Sequence, residues 1–155
     1  MTLKQTLGLR AFGLAKIPLL FLVGPSVIRL SKKACEIKIP LNYLTKNHLG
    51  SMYFGVLAVG ADCAGGMIAM EAIKASKKKV SLIFKDFKAE FFKRAESTVH
   101  FTCSDGDAIQ KQVQATVRSK KRVNSTVEVI ATTPKVSGDE PVAKFWLTLS
   151  LKCRD

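Results

Sequence analysis

The chain has 155 residues, nearly half of them hydrophobic, so it is long enough to bury a real core, and wholesale disorder is excluded. Lys and Arg outnumber Asp and Glu by 25 to 12, a net charge of +13 that favours an anionic partner: nucleic acid, an anionic membrane, or a phosphorylated or acidic carrier. Cys35, Cys63, Cys103 and Cys153 form no CxxC pair and lie far in sequence from His48 and His100, which argues against a metal site and for reduced, buried thiols in a cytoplasmic setting.

Residues 2–16 predict a short amphipathic helix, with Leu3, Leu7, Phe12 and Leu14 available for one broad face. Pro18 and Gly24-Pro25 then punctuate an extended apolar segment. The charges at Lys4, Arg10 and Lys16 are too dispersed, and Gly24-Pro25-Ser26 too unlike a small-residue cleavage site, for a secretory leader. Cys35, Ile37, Ile39 and Leu41 alternate with Glu36 and Lys38, the period of a half-buried strand.

After a polar connection, residues 54–75 predict a long central helix rich in Gly, Ala, Met and Val, with almost no polar face and so buried all round. From Met52 to Met70 the only charge is Asp62. A carboxylate at mid-span costs about 2.5–3.5 kcal/mol in a bilayer, which favours a core helix over a membrane span.

Beyond Lys77-Lys78-Lys79 the period returns to two. A strand carries Phe87, Ala89 and Phe91 inward as core rings, and another carries Val99, Phe101 and Cys103. Ile109, Val113 and Val117 predict a helix near 107–119. Val123, Val127 and Val129 mark a further strand, and Ser137-Gly138-Asp139 a turn. The clearest alternation runs from Ala143 to Leu151. One apolar helix and a largely antiparallel sheet with one apolar face must bury each other, in a single α+β domain over 1–155 whose sheet wraps the central helix.

The segment with chemical content runs from Asn47 to Asp62. A polar loop feeds the start of a buried helix, whose unpaired N–H groups can polarise a carbonyl. Gly55 admits close approach to the backbone, and Asp62 follows two turns later on nearly the same face. This stretch resembles the motif of the phenylacetyl-CoA-type hot-dog thioesterases and of uncharacterised thioesterase-like families related to them. Their pattern is Asn-x-x-Gly-Thr-x-His-Gly-Gly with an acid seven residues on. Asn47, Gly50, Ser51, Gly55 and Asp62 fall on it without a gap. Tyr53 stands in place of the His, and Phe54 in place of the first Gly. A strand over Phe87–Ala95, the helix near 107–119, Gly138, Ala143 and Trp146 extend the resemblance to most of the chain.

The resemblance implies a hot-dog fold, a homodimer or dimer of dimers, and hydrolysis of a fatty or aryl acyl thioester. CoA or acyl carrier protein would be part of the substrate, and no separate cofactor is needed. Asp62 is then general base or nucleophile, Gly55 holds the thioester carbonyl, and Asn47 orients water or substrate. Ser51, Tyr53 and Phe54 line the substrate. The Tyr53-Phe54 departure leaves open a non-catalytic acyl-CoA or fatty-acid binder, and His48 is misplaced for a dehydratase. A nucleic-acid-binding domain is the reading from another class. The basic residues are scattered, though, and the aromatics sit inward rather than among them.

Overall fold

The computed structural model describes residues 2–154. Two helices open the chain, α1 (Leu3–Lys16) and α2 (Pro18–Leu22), followed by strands β1 (Ser26–Leu30) and β2 (Cys35–Ile39). The long helix α3 (Phe54–Ser76) leads into β3 (Val80–Phe91), β4 (Val99–Cys103), α4 (Gly106–Ser119) and β5 (Val123–Thr132). A single turn, α5 (Pro134–Ser137), precedes β6 (Pro141–Cys153).

All six strands form one antiparallel sheet in the order β1-β2-β4-β5-β6-β3. Its inner face is built by period two. Ile37, Ile39, Val99, Phe101, Val127, Val129, Phe145 and Leu149 are fully or almost fully buried, while Lys38, Thr102 and Trp146 between them are not. α3 lies across this face and buries Leu57, Ala61, Ala64, Ile68 and Ala69. α4 packs beside it through Ile109 and Val113. Here Gln112 donates from Nε2 to the carbonyls of Val123 and Leu149, tying α4 to β5 and β6. Among the described residues α3 is the one helix long and apolar enough to cross a membrane, and 61% of its most apolar window is buried inside the fold.

Several expectations need correction. Pro18 does not extend the chain: it occupies the first turn of α2, where its missing N–H costs nothing. β1 is an element that the sequence pattern did not reveal. The strand expected over Phe87–Ala95 begins at Val80 and ends at Phe91. Its alternation is broken by a bulge: Phe84 pairs with Leu149, but Phe87 pairs with Leu147, so one residue is extra. The bulge puts Leu82 and Phe84 on the same inner face as Phe87, Ala89 and Phe91 despite their opposite parity.

Phe87 and Phe91 are not core. They are 44% and 52% exposed, because β3 is the sheet edge and α3 does not reach over it. Phe145, the third ring of that set, is buried, with Phe87 tilted against it and Phe91 edge-on to it at 5.7 and 6.1 Å between centroids. α1 does not bury its broad apolar face either. Thr6, Leu9 and Gly13 are its buried residues, whereas Leu3, Leu7 and Leu14 face outward.

Candidate functional site

The loop before α3 is held by its own side chains. Asn47 Oδ1 accepts from the amides of Leu49 (2.9 Å) and Ser51 (3.2 Å), and its Nδ2 donates to Ser51 Oγ (3.1 Å). The Asn47 amide donates to the Ser51 carbonyl at 2.7 Å, closing the turn around Gly50, whose φ is +79°. Ser51 is buried by this closure. Thr45 Oγ1 bonds the Pro40 carbonyl, the Met52 amide donates to the Ala95 carbonyl, and the Tyr53 amide to the Thr45 carbonyl. The first turn of α3 is therefore fixed from both sides.

The helix starts at Phe54 with no side-chain cap. The amides of Val56 and Leu57 already share the Tyr53 carbonyl, while those of Phe54 and Gly55 have no acceptor among the described residues. A Cβ at Gly55 would come within 2.5 Å of the Tyr53 ring, which occupies the space beside it. Tyr53 and Phe54 stack at 4.8 Å between centroids, and both are largely exposed. The two residues that depart from the thioesterase motif thus form an aromatic pair over the open end of the helix.

α3 is not covered all round, as its composition predicted. Gly55, Val59, Asp62, Met70 and Ile73 lie along one stripe, and each is half-buried or exposed. The stripe is left open because it faces the edge strand β3, beyond which the sheet stops. Asp62 sits in its middle. It makes no hydrogen bond or ion pair with any described residue, and burial pushes its carboxyl up from 3.8 to about 6.

Asp62 faces a cavity of about 450 Å³ whose walls are otherwise almost wholly apolar. Leu9 and Phe12 of α1 and Leu20 of α2 close one side, Met67 of α3 another, and Leu82 and Phe84 of β3 a third. Lys74 is the other charged residue of the lining, so the cavity suits an apolar ligand with a small polar end. A second groove of about 710 Å³ adjoins it, sharing Leu9, Phe12, Met67, Met70 and Lys74 and reaching Lys4 and Lys32. Among the described residues no group of three or more His, Cys, Asp or Glu could hold a metal ion.

Of the sequence-predicted residues, Asn47, Ser51, Tyr53, Phe54 and Gly55 come together at the start of α3, and Asp62 stands two turns away. Leu9, Phe12, Leu20 and Phe84 are lining residues that the sequence pattern did not single out. No spacing rule connects them to Asp62, since the α1–α2 pair reaches the cavity only through its tertiary packing. His100 bonds Glu36 at 2.9 Å on neighbouring strands, and His48 is exposed in its loop.

A long helix in the grip of one antiparallel sheet, with a polar loop at its start and an acid two turns in, defines a hot-dog fold. The chain belongs to the family described as "Domain of unknown function (DUF4442)", which matches residues 8–145. The structure resembles a Pseudomonas aeruginosa protein of unknown function described as a probable thioesterase, with a TM-score of 0.79, 20% identity and 96% of each chain covered. A Chlorobaculum tepidum protein of unknown function superposes with a TM-score of 0.80 at 13% identity, over 96% of this chain and 94% of the other. A Haemophilus influenzae thioesterase gives a TM-score of 0.67 at 13% identity, over 99% of this chain and 92% of the other. No curated protein matches the chain in sequence.

Proposed function

We propose that the protein hydrolyses an acyl thioester, with the acyl group in the cavity beside Asp62 and Asp62 as general base. The observation that carries this reading is the unpaired Asp62 carboxylate facing an apolar cavity. An acid left without a partner in apolar surroundings costs stability, and a carboxyl lifted toward neutrality is suited to take a proton near pH 7. Asp62 would draw a proton from water as the water attacks the thioester carbonyl. The tetrahedral intermediate would then collapse with cleavage of the C–S bond, and Asp62 would return the proton to the leaving sulfur. The open amides of Phe54 and Gly55 are the groups fitted to stabilise the carbonyl oxygen.

Seven residues of α-helix separate Gly55 from Asp62 by about 10 Å along the axis. Following the resemblance to hot-dog thioesterases, the proposed enzyme is a homodimer, or a dimer of such dimers, in which the helix start of a second copy approaches Asp62. The unpaired edge β3, with Ile83, Phe87, Phe91 and Phe92 exposed, offers a surface for that pairing. Asn47, whose side-chain hydrogen bonds all stay in its own loop, acts as a positioning residue for the helix start. Ser51 shares that role, and Tyr53 and Phe54 border the substrate. The carrier, CoA or acyl carrier protein, is anionic, and the exposed Lys77-Lys78-Lys79 and Lys120-Lys121-Arg122 are suited to meet it. Cys35, Cys63 and Cys103, free and buried, suit a cytoplasmic location.

The test is a hydrolysis screen over acyl-CoA chain lengths with wild type, Asp62→Ala and Asp62→Asn. Turnover in wild type and its loss in both variants is expected; equal turnover in all three removes Asp62 from the chemistry. The Tyr53 ring beside Gly55 favours one competing reading, a non-catalytic acyl-CoA or fatty-acid binder. Saturable binding with no hydrolysis across the screen would select it.

A further inference from the structure

The α1–α2 pair carries apolar surface that neither the core nor the proposed reaction uses. Leu3, Leu7 and Leu14 recur at helical spacing on one strip of α1 and are 63%, 59% and 62% exposed. Leu19, Phe21 and Leu22 of α2 are exposed as well. This orientation is held by polar contacts from Thr6, on the buried side, and from Arg10, which lies between Leu7 and Leu14 on the strip itself. The Val27 amide donates to Thr6 Oγ1 at 2.9 Å, and the Arg10 guanidinium donates to the Pro25 and Gly24 carbonyls and to Ser26 Oγ. α2 packs closely on α1 at Gly13, where an added Cβ would crowd the Phe21 amide. The pair is thus a built element with its apolar residues turned away from the domain. Exposed apolar surface on this scale marks a site of interaction.

The charge around it indicates the partner. Through residue 35 the chain carries Lys4, Arg10, Lys16, Arg29, Lys32 and Lys33 and no acid; Glu36 is the first. Leucines and a phenylalanine facing outward, on a segment whose own charges are all basic, with Glu71 of α3 the acid in the adjoining groove, match a lipid surface with anionic headgroups. A symmetric contact between two copies through this face would set the same unpaired positive charge against itself. The element also forms one wall of the Asp62 cavity through Leu9, Phe12, Ile17 and Leu20. A bilayer beneath it would lie next to the place where an apolar chain is held.

We propose that α1–α2 docks the protein peripherally on an anionic bilayer surface, with Leu14, Leu19 and Leu22 entering the headgroup boundary and Lys4 and Lys16 meeting lipid phosphates. The docking does not depend on hydrolysis, so its test reads binding alone.

Full-length protein is sedimented with phosphatidylcholine vesicles, with and without phosphatidylglycerol, at low and moderate salt. Binding is expected only with phosphatidylglycerol and weaker at higher salt. Lys4→Gln and Lys16→Gln should each weaken binding about fivefold. The triple variant Leu14→Ser, Leu19→Ser, Leu22→Ser should abolish it while its melting curve stays cooperative, since all three side chains are exposed. Failure of wild type to bind either vesicle overturns the proposal. So does equal retention of the triple variant. A triple variant that binds as wild type does but changes oligomeric state assigns the face to self-association instead.

Discussion

Phe101 of β4 lays its ring against the bare Cα of Gly60 in α3, in the space that the Cβ of any larger residue would need. The ring is fully buried at the centre of the sheet and stacks on Phe145 at 6.5 Å, so it has nowhere to retreat. Gly66, nearly two turns on, differs: its added Cβ would meet Asp62 Oδ1 at 3.5 Å and Phe84 Cζ at 3.8 Å, both ordinary contacts. Ala gains about 1 kcal/mol over Gly in a helix interior, while overpacking a core costs about 1–3 kcal/mol. Gly60→Ala should therefore lower stability by up to about 2 kcal/mol, and Gly66→Ala should leave it unchanged or raise it. Urea denaturation of the two variants checks this; a Gly60→Ala protein as stable as Gly66→Ala would mean that the Phe101 ring yields.

Asp62 should make stability depend on pH in a definite direction. Its folded value, about 6, lies above the unfolded 3.8, so the folded state holds the proton more tightly. Its contribution is fully present below about pH 4, is lost as pH rises toward 6, and stays lost above. At about 1.4 kcal/mol per pKa unit the loss is at most about 3 kcal/mol, lessened by the solvent that reaches a half-buried group. Asp62→Asn keeps the shape without the charge. It should match wild type at about pH 4 and exceed it in stability at about pH 7.5, even as hydrolysis disappears. Denaturation curves at the two pH values check this, and parallel curves would place the carboxylate in a better solvated site than the cavity provides.

Much of this architecture is legible in the residue order, and the failures have local causes. β2 and β4 show clean alternation because each runs unbroken between core and solvent, and β6 alternates in residue type although Thr148 and Ser150 on its polar side are buried as well. β3 hides its first half because the extra residue at the Lys85–Asp86 bulge moves the inner face from even to odd positions. α2 hides behind Pro18, a helix breaker in the interior but a suitable first-turn residue. Asp62 stands out as the single charge in a long apolar run, whereas the open stripe around it does not. That stripe exists because β3 is a sheet edge, a fact of strand order rather than of α3. The outward leucines of α1 escape for a related reason. Pattern alone marks an apolar face, but the bonds from Thr6 and Arg10 decide which side turns to the sheet.

The loop before α3 should fail as a unit. Asn47 uses one side chain to hold the Leu49 amide, the Ser51 amide and the Ser51 hydroxyl. Asn47→Ala would strand these groups in a partly buried turn, at a cost of about 1–3 kcal/mol. Asn47→Asp keeps the acceptor for the two amides and loses only the donated bond to Ser51 Oγ, so it should retain most of the stability. If Asn47 positions the helix start, activity should follow the same ranking, with Asn47→Asp between wild type and Asn47→Ala. Chemical denaturation and turnover measured on the same preparations check this. An alanine variant of wild-type stability would show that the turn holds without the side chain.

The thiols offer an independent probe of the core. Cys35 and Cys103 face each other across β2 and β4, and burial pushes them up to about 12 and about 11. Burial drives Cys63 upward too, with the neighbouring Asp62 adding to it. The nucleophile is the thiolate, so groups held this far above neutrality are almost wholly protonated at about pH 8, as well as hidden from reagent. All three should resist alkylation by iodoacetamide in the native state and react together once urea unfolds the domain. Their modification rate then reports global opening, because they sit where α3 meets the centre of the sheet rather than at its frayed edge. Mass spectrometry of peptides from a timed labelling series checks this. Fast native labelling of Cys63 with Cys35 and Cys103 protected would show instead that α3 opens toward the Asp62 cavity while the sheet remains folded.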